Sequence, residues 1–122
     1  MKSRGFEELR VYGLAEKLAD EVWPIVGQWN AFSRNTVGNQ LVRAVDSVGA
    51  NIAEGCGRGS YQDNRRFVRM ARGSLYETRH WLRRAYRRQL LNTTQTKTLK
   101  SLIDQLGPKL NAYLKSIGPT ND

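Results

Sequence analysis

Residues 60–90 read SYQDNRRFVRMARGSLYETRHWLRRAYRRQL, and this stretch decides the fold. Its small and apolar residues recur at steps of three and four, which is the period of one helix face packed against a partner. Its nine arginines must lie on the outer surface, because a buried guanidinium without a partner is too costly. We therefore predict a long amphipathic helix whose buried seam consists of Phe67, Ala71, Ser74, Thr78, Trp81 and Ala85.

Three further segments with the same periodicity flank this helix. They cover Phe6–Trp29, Ser33–Glu54 (whose first residue is the expected N-cap) and Thr93–Ile117. Pro24 and Pro108 lie inside the first and last of these segments. We expect a kink or a break at each, since proline lacks the backbone donor and clashes with the preceding turn.

The links between the segments are short and contain helix stop and start signals. Gly55 is expected to end the second helix in a left-handed conformation, and Ser60 with Asp63 resembles the capping pair that starts the third. Short links make successive helices antiparallel neighbours. The chain is therefore predicted to be all-α, a single antiparallel up-down-up-down four-helix bundle domain over residues 1–122, with Thr120–Asp122 frayed at its end.

The charge of the chain is concentrated in its middle. The formal net charge is +9, and residues 57–88 hold ten arginines against two acidic residues, whereas residues 1–56 hold six basic and seven acidic residues. Arginine suits bidentate contacts with phosphate and carboxylate better than lysine does, which favours a polyanion-binding face. The alternative is a solvated surface that keeps the protein soluble, or one that pairs with an acidic face of a neighbouring helix or subunit.

Catalysis, cofactors and metals are not expected. The chain has one cysteine, Cys56, and one histidine, His80, which cannot build a zinc site unaided. His80 lies twenty residues beyond Ser60, about 30 Å along the helix, which argues against a Cys–His nucleophile pair. A single cysteine, no apolar leader at the N-terminus and no membrane-length apolar run make the cytoplasm the expected location.

Three stretches carry a resemblance to a known family. They are FEELRVY at residues 6–12, QLVRAVDSVGANIAEGCGRGS at residues 40–60 and RFVRMARGSLYETRHWLRRA at residues 66–85. Together they resemble the four-helix-bundle family first noticed as open reading frames in intervening sequences of bacterial 23S ribosomal RNA genes. That family includes the accessory variability determinant proteins of diversity-generating retroelements. Relatives often carry a proline and a glutamate before the second helix, and Ala31–Val37 has neither, so a different entry to this helix is expected.

The resemblance implies a ring-like homopentamer with a basic surface and no catalytic residue. In the retroelement members that surface is linked to the reverse transcriptase and to nucleic acid. The family-like positions have a structural interpretation: Glu54 should pair with Arg58, Asn51 should bond to Ser74, and small residues should let helices approach closely. These motif positions are Gln40, Asn51, Glu54, Gly55, Gly73 and Ser74.

Two functional hypotheses remain open at this point. The first is a non-enzymatic, oligomeric bundle that binds the RNA or DNA backbone non-specifically, with Tyr76 and Tyr86 either stacking on unpaired bases or packing against neighbouring helices. The second is an adaptor whose basic face docks a partner enzyme such as a retroelement reverse transcriptase. The predicted contacts are Arg58, Arg65, Arg66, Arg69, Arg72, Arg79, Arg83, Arg84, Arg87 and Arg88.

Overall fold

A computed structural model describes residues 5–119, and these form four long helices. The predicted fraying of Thr120–Asp122 lies outside the described residues. A short 3₁₀ turn, Phe6–Glu8, precedes the first helix. The helices are α1 (Arg10–Gly27), α2 (three consecutive segments, Ala31–Ser33, a π-helical turn Arg34–Gly38 and Asn39–Cys56), α3 (Tyr61–Arg87) and α4 (Thr93–Ser116).

The four helices form the predicted antiparallel bundle. Each helix packs against the next one in the chain, most extensively α2 against α3, and α4 closes the bundle by packing against α1. The diagonal pairs, α1 with α3 and α2 with α4, make no close backbone approach within the described residues. This square arrangement is the up-down-up-down topology, and each helix has one solvent-facing side.

The buried face of α3 is wider than the sequence predicts. Ser74 and Trp81, two residues of the predicted seam, are only half-buried, whereas Val68, Leu75 and Leu82 are buried. The core lies between α3 and two neighbours, α2 and α4, so a single line of residues cannot fill it. The buried residues of the other helices follow the periodicity that the sequence predicts for their segments. They are Val11, Ala15, Leu18, Val22 and Val26 of α1, Leu41, Val45, Val48 and Ile52 of α2, and Leu99, Leu102, Leu106 and Leu110 of α4.

The structure corrects the predicted N-cap of α2, and the two helices that contain a proline continue through it without a break. The N-cap of α2 is Asn30, whose side chain accepts a hydrogen bond from the Ser33 amide at 2.9 Å, so Ser33 is already helical. Neither Pro24 nor Pro108 ends its helix. Both prolines are exposed, so water can reach the carbonyl group that each leaves unpaired one turn earlier.

The glycines of the motif differ in their roles. Gly55 does not stop α2 in a left-handed conformation, because α2 continues to Cys56. It marks a close helix contact instead: a Cβ there would lie 3.1 Å from the Asn64 carbonyl oxygen and 3.1 Å from Phe67 Cβ. Gly73 was predicted to allow such an approach, and this is wrong, since nothing lies within 4 Å of its would-be Cβ. The left-handed glycine of this link is Gly59, with φ of 87°.

Candidate nucleic-acid interface

The arginines of α3 lie on two different sides of the helix. Ser60 caps the helix by accepting a hydrogen bond from the Asp63 amide at 3.1 Å, which confirms the predicted start. Successive helical residues turn by about 100°, so one group spans an arc of about 80° next to α4 and the other faces the α2 side. The first group is Arg65, Arg69, Arg72, Arg79, Arg83 and Arg87, and the second is Arg66, Arg84 and Arg88.

Two arginines of the first group tie α3 to α4. Arg65 donates from Nη1 to the carbonyl of Ile117 at 2.7 Å, and Arg72 donates from Nη1 to Asn111 Oδ1 at 3.2 Å. Both side chains are half-buried. A cation on the last carbonyl groups of a helix satisfies acceptors that lack an intrahelical partner. The sequence did not predict these hydrogen bonds between α3 and α4. Through them, Arg65 and Arg72 hold the two helices together.

Two other arginines are neutralised locally. Arg58 pairs with Glu54 at 3.6 Å, as predicted, and Arg66 pairs with Asp63 at 3.4 Å. Both guanidinium groups also lie 4.7 Å from the centre of the Phe67 ring. Exposed pairs of this kind add little stability. They do reduce the positive charge that the start of α3 offers to a ligand.

Four arginines of the first group remain exposed, and we call them the arginine ridge: Arg69, Arg79, Arg83 and Arg87. None of them forms an ion pair with an acidic side chain within residues 5–119. The guanidinium group of Arg79 lies 5.5 Å from the centre of the Tyr76 ring. From Arg69 to Arg87 the ridge extends about 27 Å along the helix axis.

Lys100 of α4 adds a cation that the sequence analysis missed. It lines the same hollow as Arg79 and Arg83, and its Nζ contacts Asp104 at 2.6 Å. Lys100 directly follows the buried Leu99, so helical spacing could have placed it at the edge of the buried face of α4. That it lies close to α3 follows only from the packing of α4 against α3.

The surface between α1 and α2 has the opposite charge. Glu16 and Asp20 of α1 and Asp46 of α2 line one shallow hollow there. Burial, together with the nearby charge of Asp20, raises the pKa of the Asp46 carboxyl group. The pKa of the Tyr12 hydroxyl group is also raised, by burial and by the charge of Glu16. The molecule thus separates acidic and basic faces.

The motif positions have mostly structural contacts. Asn51 donates from Nδ2 to the Ser47 carbonyl at 2.9 Å and to Ser74 Oγ at 3.5 Å, so the predicted link between α2 and α3 is present. The buried Thr78 hydroxyl donates to the Ser74 carbonyl at 2.8 Å. Gln40 is exposed near the start of α2.

Cys56 and His80 contact different partners. Cys56 Sγ lies 3.6 Å from the Tyr113 hydroxyl group, and His80 packs edge-on against Trp81. Burial raises the pKa of Tyr113 to about 12, so its hydroxyl stays protonated near neutral pH. Within residues 5–119 no group of three or more His, Cys, Asp or Glu side chains could hold a metal ion. No helix in that range is long and apolar enough to cross a membrane.

Comparison with known proteins agrees with the helical architecture. The model of the family described as 23S rRNA-intervening sequence protein matches residues 7–112 of the chain. A crystal structure from Bacteroides thetaiotaomicron VPI-5482, of a protein of unknown function from the S23 ribosomal protein family, is similar with a TM-score of 0.76. The two chains are 21% identical, and the alignment covers 87% of this chain and 99% of that one. At this identity the likeness shows a shared fold. No curated protein is similar enough to match.

Proposed function

The chain belongs to the family of 23S rRNA-intervening sequence proteins, and on that premise we propose that it is a non-enzymatic protein that binds the phosphate backbone of RNA or DNA through its arginine ridge. The observation that carries the proposal is the exposure of Arg69, Arg79, Arg83 and Arg87 along one line, without an acidic partner within residues 5–119. A row of free guanidinium groups suits a row of phosphates.

The chemistry of the ridge favours affinity without base specificity. Each arginine that neutralises a phosphate releases a condensed counterion, so the logarithm of the affinity falls linearly with the logarithm of the salt concentration. Four contacts correspond to a slope of about −3.6 on duplex DNA. The ridge carries no asparagine or glutamine placed to read base edges, so its contacts position a nucleic acid rather than select its sequence.

A charge-matched pair of variants tests the proposal. In the ridge variant, Arg69, Arg79, Arg83 and Arg87 become Gln; in the control variant, four exposed cations outside the ridge, Arg10, Lys17, Arg43 and Lys115, become Gln. Fluorescence anisotropy with a labelled oligonucleotide gives affinity against salt. We expect the ridge variant to flatten the salt slope on duplex DNA by about 3.6 while the control keeps it. Wild-type protein that binds neither duplex nor single strand at about 50 mM salt, or an equal loss in both variants, would overturn the proposal.

A second candidate is a protein-interaction adaptor, with a partner enzyme such as a retroelement reverse transcriptase docked on the basic face. Its supporting observation is the arginine ridge itself, because guanidinium groups that lack an acidic partner within residues 5–119 suit the carboxylates of a partner protein as well as phosphates. A partner retained after nuclease treatment, and lost when ridge arginines become Glu, would favour this candidate over the first.

We also propose that the chain self-associates through the apolar end of the bundle, where α1 ends and α2 begins and where Trp23 is 67% exposed and Phe32 is 78% exposed. The family resemblance implies assembly, and exposed aromatic side chains of this size are typical of protein interfaces. Trp29 is buried and donates from Nε1 to the Leu90 carbonyl at 2.9 Å, so it serves the fold. Trp23 and Phe32 are exposed, so they can contact another subunit. A ring of five subunits is the stoichiometry that the family resemblance implies.

A further inference from the structure

A groove runs between α3 and α4 beside the arginine ridge. It consists of two adjoining hollows of about 290 Å³ and 510 Å³ that share Arg79, Ile103 and Asp104. Ligand pockets in proteins usually hold about 300–1,000 Å³, so each hollow is of a size that can seat a small planar group. We call it the tyrosine groove, because Tyr76 lines the first hollow and Tyr86 the second.

The two tyrosines are available to a ligand. Tyr76 is 60% exposed and Tyr86 is 56% exposed, and neither hydroxyl group has a hydrogen-bond partner within residues 5–119. Neither ring is packed into the buried core of its own chain. Ten residues of helix separate them, which places them about 15 Å apart along the axis.

The floor of the second hollow is apolar and its rim is cationic. Leu82 and Leu99 are buried beneath it, and Leu91 and Ile103 border it. The rim cations are Arg79, Arg83 and Lys100, and the one acidic side chain of this hollow, Asp104, is paired with Lys100. A flat apolar group with an attached anion would satisfy both the floor and the rim.

The combination points to one kind of polyanion. A duplex presents phosphates at its surface while its bases stay stacked and paired inside, so an apolar groove next to the phosphate contacts would stay empty. A single strand can turn its bases out, and aromatic side chains stack on them whatever their sequence. We propose that the tyrosine groove takes unpaired bases of single-stranded RNA or DNA whose phosphates lie on the arginine ridge. This inference rests on the proposed function and narrows it to single strands.

The test distinguishes binding to bases from binding to phosphates. The probes are a labelled 20-nucleotide single strand, a strand of equal length in which abasic sites replace the central bases, and a duplex of the same sequence. We expect wild-type protein to bind the intact single strand about tenfold or more tightly than the abasic strand. Replacing Tyr76 and Tyr86 by Ala should remove that difference and leave the abasic strand's affinity unchanged.

Two further variants control for the loss of an exposed tyrosine elsewhere and for the loss of the hydroxyl groups. Tyr61 is an equally exposed tyrosine of α3, at 55%, that lies outside the groove, so Tyr61→Ala should leave all affinities unchanged. Replacing both groove tyrosines by Phe should keep the preference for the intact strand, because stacking needs the ring and not the hydroxyl group. Circular dichroism confirms that each variant keeps its helical content.

The outcomes distinguish the inference from the proposed function. Equal affinity for the intact, abasic and duplex probes overturns the tyrosine groove as a base site while the ridge keeps its role. Tyrosine-dependent binding of an acidic peptide, with no dependence on bases, overturns it in favour of a protein ligand. Absence of binding to every probe at about 50 mM salt overturns both proposals together.

Discussion

At the scale of single residues, neighbours decide what a motif position does. The sequence groups Gly55 and Gly73 as small residues that let helices approach, yet only Gly55 has a helix against it. Gly73 precedes the predicted seam residue Ser74 by one position, which turns it about 100° away from Ser74 on a helix. It lies in solvent, while the buried face passes through Leu75. The pairs Glu54–Arg58 and Asn51–Ser74 could be predicted, because the first is a local helical spacing and the second joins two half-buried polar groups.

The same substitution at these two glycines should have opposite effects. Gly55→Ala places a Cβ 3.1 Å from the Asn64 carbonyl oxygen and should lower the free energy of unfolding by about 1–3 kcal/mol, because α2 and α3 must separate. Gly73→Ala meets no neighbour within 4 Å and should raise it by about 1 kcal/mol, through helix propensity. Urea unfolding followed by circular dichroism measures both. A similar change in the two variants would contradict the close approach at Gly55.

Asp46 should make stability depend on pH in a defined direction. Its pKa is raised by burial and by the charge of Asp20, so the folded protein holds this proton more tightly than the unfolded chain does. Ionised Asp46 therefore costs stability, and the cost appears as the pH rises from the unfolded pKa through the folded one. Asp46→Asn should raise the free energy of unfolding at pH 7, and the gain should shrink as the pH falls and be nearly gone at about pH 3, where both states are mostly protonated.

The measurement is urea unfolding of both proteins between pH 3 and pH 7, roughly the range over which a carboxyl group titrates. Asp104→Asn is the control, because it removes an exposed pair with Lys100 and should change stability by about 0.5 kcal/mol or less at any pH. A gain in Asp46→Asn that stays constant across this range would show that the effect is not electrostatic.

At the scale of elements, the sequence predicts helix interiors better than helix ends. Four amphipathic segments, their order and the Ser60 cap follow from periodicity and side-chain chemistry. The entry to α2 does not, because its π-helical turn Arg34–Gly38 has no sequence signal. The hydrogen bonds of Arg65 and Arg72 could not be predicted either. Their partners, Ile117 and Asn111, are 52 and 39 residues away in the chain, and only the packing of α4 against α3 brings them close.

The end of α3 offers a test of backbone strain. Gln89 adopts a left-handed conformation with φ of 61°, and the Leu90 amide donates to the Ala85 carbonyl at 2.9 Å, which is the pattern of a Schellman ending. This position normally suits glycine, because a Cβ crowds the following carbonyl group. Gln89→Gly should raise the free energy of unfolding by about 1 kcal/mol. Gln28→Gly, where φ is −88°, should bring no gain, and a gain at both sites would contradict a conformational cause.

At the scale of the whole molecule, segregated charge and an apolar end stand out. Residues 57–88, which include α3, hold ten arginines against two acidic residues, whereas Glu16, Asp20 and Asp46 make the surface between α1 and α2 acidic. The sequence showed the first of these directly, because the arginines are clustered in one segment of the chain. It could not show the second, since an acidic hollow forms only when α1 and α2 pack side by side. Likewise, Trp23 and Trp29 are alike in the sequence, and only the fold buries one of them.

The apolar end leads to the last prediction. A chain of 13.9 kDa that exposes 67% of Trp23 and 78% of Phe32 should associate, because covering that surface removes apolar area from water at about 25 cal/mol per Å². Light scattering should give wild-type protein a mass of several chains, and Trp23→Ser combined with Phe32→Ser should reduce it to one chain with unchanged helical content. The control, Tyr61→Ser with Met70→Ser, removes exposed apolar side chains elsewhere and should keep the assembled mass. A wild-type mass of a single chain would contradict self-association and would assign these aromatic side chains to an interface with a different protein.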